Sequence, residues 1–104
     1  MTNNRMDILK GMVAQNPKDS FARYGLATEY KNAGNFEQAV TEYRNLMEVS
    51  PDYAAAYFHC GQTLEKSGRL DEARSVYQRG IEVTARTGDA HTRSELEAAL
   101  DILG

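Results

Sequence analysis

The chain has one cysteine and two prolines in 104 residues, and each scarcity excludes something. Cys60 has no second thiol to pair with inside the chain, so no disulfide scaffold is available, and a reducing, cytoplasmic setting is expected. With so few prolines the backbone is free to stay helical over long stretches, and Pro17 and Pro51 stand out as punctuation. No excess of one charge exists: residues 1–52 carry 6 basic and 7 acidic side chains, residues 53–104 carry 6 and 8, and the net charge is −3. No basic footprint for nucleic acid follows from that balance, and no acidic tail. Long apolar runs are missing too. Nothing approaches the roughly 18 consecutive apolar residues of a membrane span or the apolar core of a signal peptide, so no membrane association is expected. Strand-like alternation is also absent, and valine and isoleucine are scarce beside alanine, which favours helix.

What is present is a 34-residue echo. Gly34, Ala39, Tyr43, Glu48 and Val49 return as Gly68, Ala73, Tyr77, Glu82 and Val83, and Pro17 returns as Pro51. Chemical equivalents lie between them: Tyr24 and Phe58, Phe36 and Leu70, Met47 and Ile81, Ser50 and Thr84. A fixed period of this length implies one supersecondary unit stacked on copies of itself. The apolar spacing and punctuation predict six helices, over residues 4–15, 20–33, 36–49, 53–67, 70–86 and 89–103, with connections short enough to make neighbours antiparallel. Asp19 and Asp52 are expected to cap the helices that follow them, and Asn35 opens a near capping box with Gln38. Gly34 and Gly68 fall where a helix ends in a left-handed residue.

The unit resembles the tetratricopeptide repeat, a helical hairpin whose pattern reads W-x2-L-G-x2-Y, then A-x3-F, then P. One copy supplies Arg23, Leu26, Ala27, Tyr30, Ala39, Tyr43 and Pro51. The other supplies Tyr57, Cys60, Gly61, Leu64, Ala73, Tyr77 and, in the proline position, Ala85. Arg23 departs from the expected large aromatic, and Ala85 removes the proline stop, so the fifth helix is expected to run on and end at Gly88. The resemblance implies an all-α, right-handed α-solenoid of antiparallel hairpins forming a single domain. Residues 1–19 would be a half repeat, 20–53 and 54–87 two full repeats, and 88–104 a C-terminal capping helix, with Leu96, Ala99, Leu100 and Leu103 on its inward stripe. Ala27, Gly61, Ala39 and Ala73 would mark close helix approach, and Tyr43 and Tyr77 would reach into the next unit.

Catalytic and metal-binding constellations are lacking. His59 and Cys60 are adjacent on a helix and so point about 100° apart, and Cys60 takes a core leucine position, where free cysteine packs as a small hydrophobe. His91, at the 34-residue image of Arg23 and Tyr57, is expected to be half buried. No pair of histidines four apart, no C-x2-C and no glycine-rich phosphate loop occurs, so neither an enzyme nor a cofactor or metal is expected.

The resemblance implies a protein or peptide partner. In tetratricopeptide arrays the first helix of each unit lines a concave groove, which here implicates Phe21, Tyr24, Thr28 and Lys31, then Phe58, His59, Gln62 and Lys66. Tyr24 and Phe58 serve either as aromatic anchors for a partner or as packing between adjacent first helices. Some family members grip a C-terminal carboxylate with a lysine, asparagine and arginine clamp. Its positions here read Tyr24, Thr28, His59, Asp89 and Arg93, and only Arg93 keeps the chemistry, so that clamp is not expected. On the first helix, Ile8, Leu9, Met12 and Val13 form a broad apolar face. It is satisfied either by the following unit or by a second copy of the chain, the alternative that makes the protein a self-assembling module. A monomer or weak homodimer is expected.

Overall fold

The computed structural model describes residues 4–104, which form six helices: α1 Asn4–Gln15, α2 Ser20–Asn32, α3 Phe36–Val49, α4 Ala54–Lys66, α5 Leu70–Thr87 and α6 Ala90–Leu103. No strand occurs among the described residues. Each helix packs on the next, and α4 also touches α6, the arrangement of stacked antiparallel hairpins. The turns follow the local chemistry. Asp19 sits one residue before α2 and its carboxylate accepts from the Ala22 amide at 3.1 Å. Asp52 does not do the same. Tyr53 is the residue before α4, so Asp52 stands one position too early to cap, and its carboxylate instead pairs with Arg86 on α5. Asn35 makes no side-chain cap bond either; its backbone amide closes the end of α2 by donating to the Tyr30 carbonyl at 2.9 Å. Gly34, Gly68 and Gly88 all adopt positive φ, the left-handed conformation that a helix end imposes and only glycine takes cheaply.

A main core runs from α2 to α6, and a smaller cluster of Met6, Leu9 and Leu26 joins α1 to α2. Ala27, Ala39, Ala56 and Ala73 are completely buried and let helices approach, while Tyr43, Tyr57 and Tyr77 fill the spaces between them. Each buried phenol finds an oxygen: Tyr43 bonds to the Thr28 hydroxyl at 3.1 Å, Tyr57 donates to the Pro51 carbonyl at 2.7 Å, and Tyr77 donates to the Glu65 carboxylate. Aromatic residues with a satisfied polar tip combine large apolar burial with no orphaned hydroxyl. Arg23, the departure from the repeat's aromatic position, reproduces the same tie. Its Nε donates to the Pro17 carbonyl at 2.7 Å, as Tyr57 does to Pro51, and its Nη1 pairs with Glu42 at 3.0 Å. Two glycines mark the tightest approaches. A Cβ on Gly61 would lie 2.2 Å from the Tyr77 ring, and one on Gly80 would lie 2.7 Å from the Tyr57 Cβ and 2.9 Å from Leu96.

The last helix breaks the period. The starts of α2 and α4 are 34 residues apart, whereas those of α4 and α6 are 36 apart. The cause is Ala85: without a proline there, α5 runs to Thr87 and turns at Gly88, giving it 18 residues against 14 in α3. Leu96 then occupies the place of Leu26 and Cys60 and is fully buried. Arg93 takes the place of Arg23 and Tyr57. His91, expected to be half buried, is 88% exposed and faces Glu95 at 3.6 Å. Ala99, Leu100 and Leu103 pack against the core, as their spacing predicts, and Ile102 is 86% exposed.

Candidate functional site

The groove face is built from the first helices of successive hairpins. On α2, Tyr24, Thr28 and Lys31 are half buried, while Phe21 near the helix start is 73% exposed. On α4, Phe58, His59 and Gln62 are half buried and Lys66 is exposed. Side chains bring the two helices together. The Tyr24 ring meets His59 edge-on with centroids 5.7 Å apart, and Lys31 Nζ lies 3.5 Å from His59 Nδ1. Tyr24 also packs against Tyr53 at 5.4 Å and Tyr43 at 6.3 Å, and His59 stacks on Tyr43 at 6.4 Å. Thr28 is tied down by donating to the Tyr24 carbonyl. Tyr24 therefore works in the packing between hairpins as well as on the surface, and the Thr28 hydroxyl beside it is held by its bonds to the Tyr24 carbonyl and the Tyr43 hydroxyl.

The electrostatics follow from that packing. Burial, then the nearby Lys31 ammonium, pushes the His59 imidazole below its ordinary 6.5, with Glu95 pulling the other way. Lys31 is itself lowered, by burial and by the proximity of Lys66. One residue along, Cys60 is fully buried and its thiol is pushed up to about 11 by desolvation, so no thiolate forms near neutral pH. Among the described residues no group of His, Cys, Asp and Glu is arranged to hold a metal ion.

The face continues onto α6, where the 34-residue period misdirects the sequence reading. Phe58 and Gln62 of α4 and Glu95, Ala98, Ala99 and Ile102 of α6 line an open hollow of about 280 Å³. A second hollow of about 320 Å³ lies beside it over Gln62, Glu65 and Lys66. Glu95, Ala98 and Ile102 follow from carrying the 36-residue step forward from His59, Gln62 and Lys66, and the signal available in the sequence was the missing proline at Ala85. Asp89, assigned by the shorter period to a clamp position, is instead the cap of α6 and accepts from the Thr92 amide at 3.1 Å. On α1 the four apolar residues divide. Leu9 is buried on Gly25 and packs with Leu26, and Val13 is half buried beside them, while Ile8 is 63% and Met12 37% exposed. No helix among the described residues is long and apolar enough to cross a membrane.

Comparison with known proteins agrees with the architecture. A tetratricopeptide repeat-containing protein of Pseudomonas aeruginosa is 28% identical over 92 residues, covering 88% of both chains. A tetratricopeptide repeat domain of Salinibacter ruber, solved by NMR, superposes with a TM-score of 0.79 at 36% identity, covering 85% of this chain and 89% of that one. The crystal structure of PcrH in complex with the chaperone binding region of PopD superposes with a TM-score of 0.88 at 19% identity, covering 94% of this chain and 74% of that one, a likeness of fold. The family profile described as tetratricopeptide repeat matches residues 24–91. The chain belongs to the tetratricopeptide repeat family, whose members are helical-repeat modules of protein–protein interaction.

Proposed function

We propose that this protein is a non-catalytic interaction module that holds a peptide or helical segment of a partner along its concave face. One observation carries the reading: a strip of aromatic and polar side chains runs across Tyr24, Thr28, Lys31, Phe58, His59 and Gln62 to Ala98 and Ile102, anchored from beneath and open above. Immobilised aromatics beside fixed hydrogen-bonding groups suit recognition, because little side-chain freedom is lost on binding. The structural neighbour PcrH, which is solved in complex with a segment of PopD, supports the same use of the fold. Capture from an extract of the native source, using the whole chain as bait, tests it. Tyr24→Ala with Phe58→Ala should lose the captured partner while the far-ultraviolet circular dichroism stays helical. Undiminished capture by that folded variant would refute the groove.

The exposure of Ile8 and Met12 favours a second reading, in which copies of the chain meet through α1. Ile8→Glu with Met12→Glu, rather than any change at the buried Leu9, should then convert a dimer to a monomer in analytical ultracentrifugation. A wild-type chain that sediments as a monomer at high concentration removes this reading.

A further inference from the structure

Lys31 and Lys66 lie in the last turns of α2 and α4, and Lys31 reaches across to α4 with Nζ 3.5 Å from His59 Nδ1. A positive charge in the last helical turn is favoured by the helix dipole, so each lysine is stable there alone. Among the described residues neither ammonium is paired with a carboxylate, and the proximity of Lys66, after burial, loosens the proton on Lys31. Among the described residues the one polar contact of the Lys31 ammonium is with His59 Nδ1 at 3.5 Å. Two carboxylates line these hollows without pairing with either lysine, Glu65 beside Lys66 and Glu95 beside Phe58. Glu65 accepts from the Tyr77 hydroxyl, Glu95 faces His91 at 3.6 Å, and Asp101 lines the opposite face of α6 with Ile81 and Leu100.

Directly beside this basic edge lies the hollow between α4 and α6. Gln62 lines both the mainly apolar hollow holding Phe58, Glu95, Ala98 and Ile102 and the one holding Glu65 and Lys66, so an apolar surface and an ammonium group share a wall. Ile102 at 86% exposure is an apolar side chain held out over that wall. Two ammonium groups without an ion-paired carboxylate, next to an open and mainly apolar hollow, are complementary to the reverse pattern in a ligand. Resting on the groove reading above, we propose that the partner segment carries an acidic side chain next to a bulky apolar one, with the carboxylate on Lys31 and Lys66 and the apolar group in the hollow between α4 and α6. The carboxylate is an internal Asp or Glu rather than a chain terminus, because Tyr24, Thr28 and His59 lack the clamp's lysine and asparagine chemistry, Asp89 caps α6 and Arg93 pairs with Glu97.

Selection from a random peptide library, displayed as an internal insert so that neither terminus is free, tests the assignment on the whole chain. Recovered sequences should be enriched in Asp or Glu adjacent to Leu, Ile or Phe. Lys31→Glu with Lys66→Glu should reverse the preference to Lys or Arg, and should weaken a synthesised, end-blocked wild-type selectant roughly tenfold or more, the loss of one charge-assisted hydrogen bond. Ile102→Asp, at an exposed position that leaves folding intact, should remove the apolar preference. Selectants without acidic enrichment, or with a preference unmoved by the charge reversal, yet still lost in Tyr24→Ala with Phe58→Ala, would overturn this inference and leave the groove reading standing. Selectants indifferent to Tyr24 and Phe58, or no selectants at all, would overturn both.

Discussion

Cys60 and His59 occupy neighbouring positions on α4, yet the chain puts them to different uses. Cys60 takes the place that leucine holds on α2 and on the last helix α6, at Leu26 and Leu96, and its thiol is pushed up to about 11 by burial. A protonated, enclosed thiol reacts slowly. Thiol reagents should label native Cys60 far more slowly than the urea-unfolded chain at pH 7.5, and equal rates would contradict the burial. His59 sits among the Tyr24, Tyr43 and Phe58 rings with Lys31 beside it and Glu95 opposite. Burial and Lys31 favour the neutral imidazole in the folded chain, so the unfolded chain holds the proton more tightly. The stability from this site is therefore complete above the ordinary 6.5 and declines as pH falls through it, until the lower folded value is passed. Urea midpoints at pH 7 and pH 5 should differ less for His59→Gln than for the wild type. The same difference in both proteins would show that His59 is not the group responsible.

The elements were largely legible because their causes are local. The expected and observed helices agree within a residue or so at each end, since Gly34, Gly68 and Gly88 stop the chain by backbone conformation alone. Capping was less legible. Asp19 caps and Asp52 does not, a matter of one position relative to the helix start: 34 residues on from Asp19 stands Tyr53, and Asp52 precedes it. Helix-to-helix distance is set by glycine and alanine, and not all glycines are equal. Gly61 abuts the fully buried Tyr77 ring, which its bond to Glu65 holds in place, whereas Gly25 meets only the end of the flexible Leu9 side chain at 3.0 Å. Gly61→Ala should destabilise despite the better helix propensity of alanine, since overpacking costs ~1–3 kcal/mol against a propensity gain of ~1 kcal/mol. Gly25→Ala should be neutral or stabilising. Thermal unfolding of the two variants decides it: a lower Tm for Gly61→Ala alone is expected, and equal effects would mean that the α4–α5 contact is looser than described.

At the scale of the whole molecule, the two-residue lengthening of the last step decides which side chains of α6 lie beside Phe58 and Gln62. The fold was readable from Gly34, Ala39, Tyr43 and their images because a stacked repeat writes the same contacts twice. The residues from α6 were not, because extrapolating 34 residues past Ala85 puts Asp89 and Arg93 where the structure has a helix cap and a partner for Glu97. Period reports contacts between equivalent units, and a helix extended past its usual stop shifts everything after it. The concave face across α2, α4 and α6 is the central claim, and amide chemical-shift mapping tests it most directly. Titrating the isotope-labelled chain with a selected, end-blocked peptide should move the amides of Thr28, Gln62 and Ala98 while leaving Thr41 and Ser75 on the outer helices α3 and α5 in place. Shifts concentrated on α3 and α5, or on α1 alone, would contradict it.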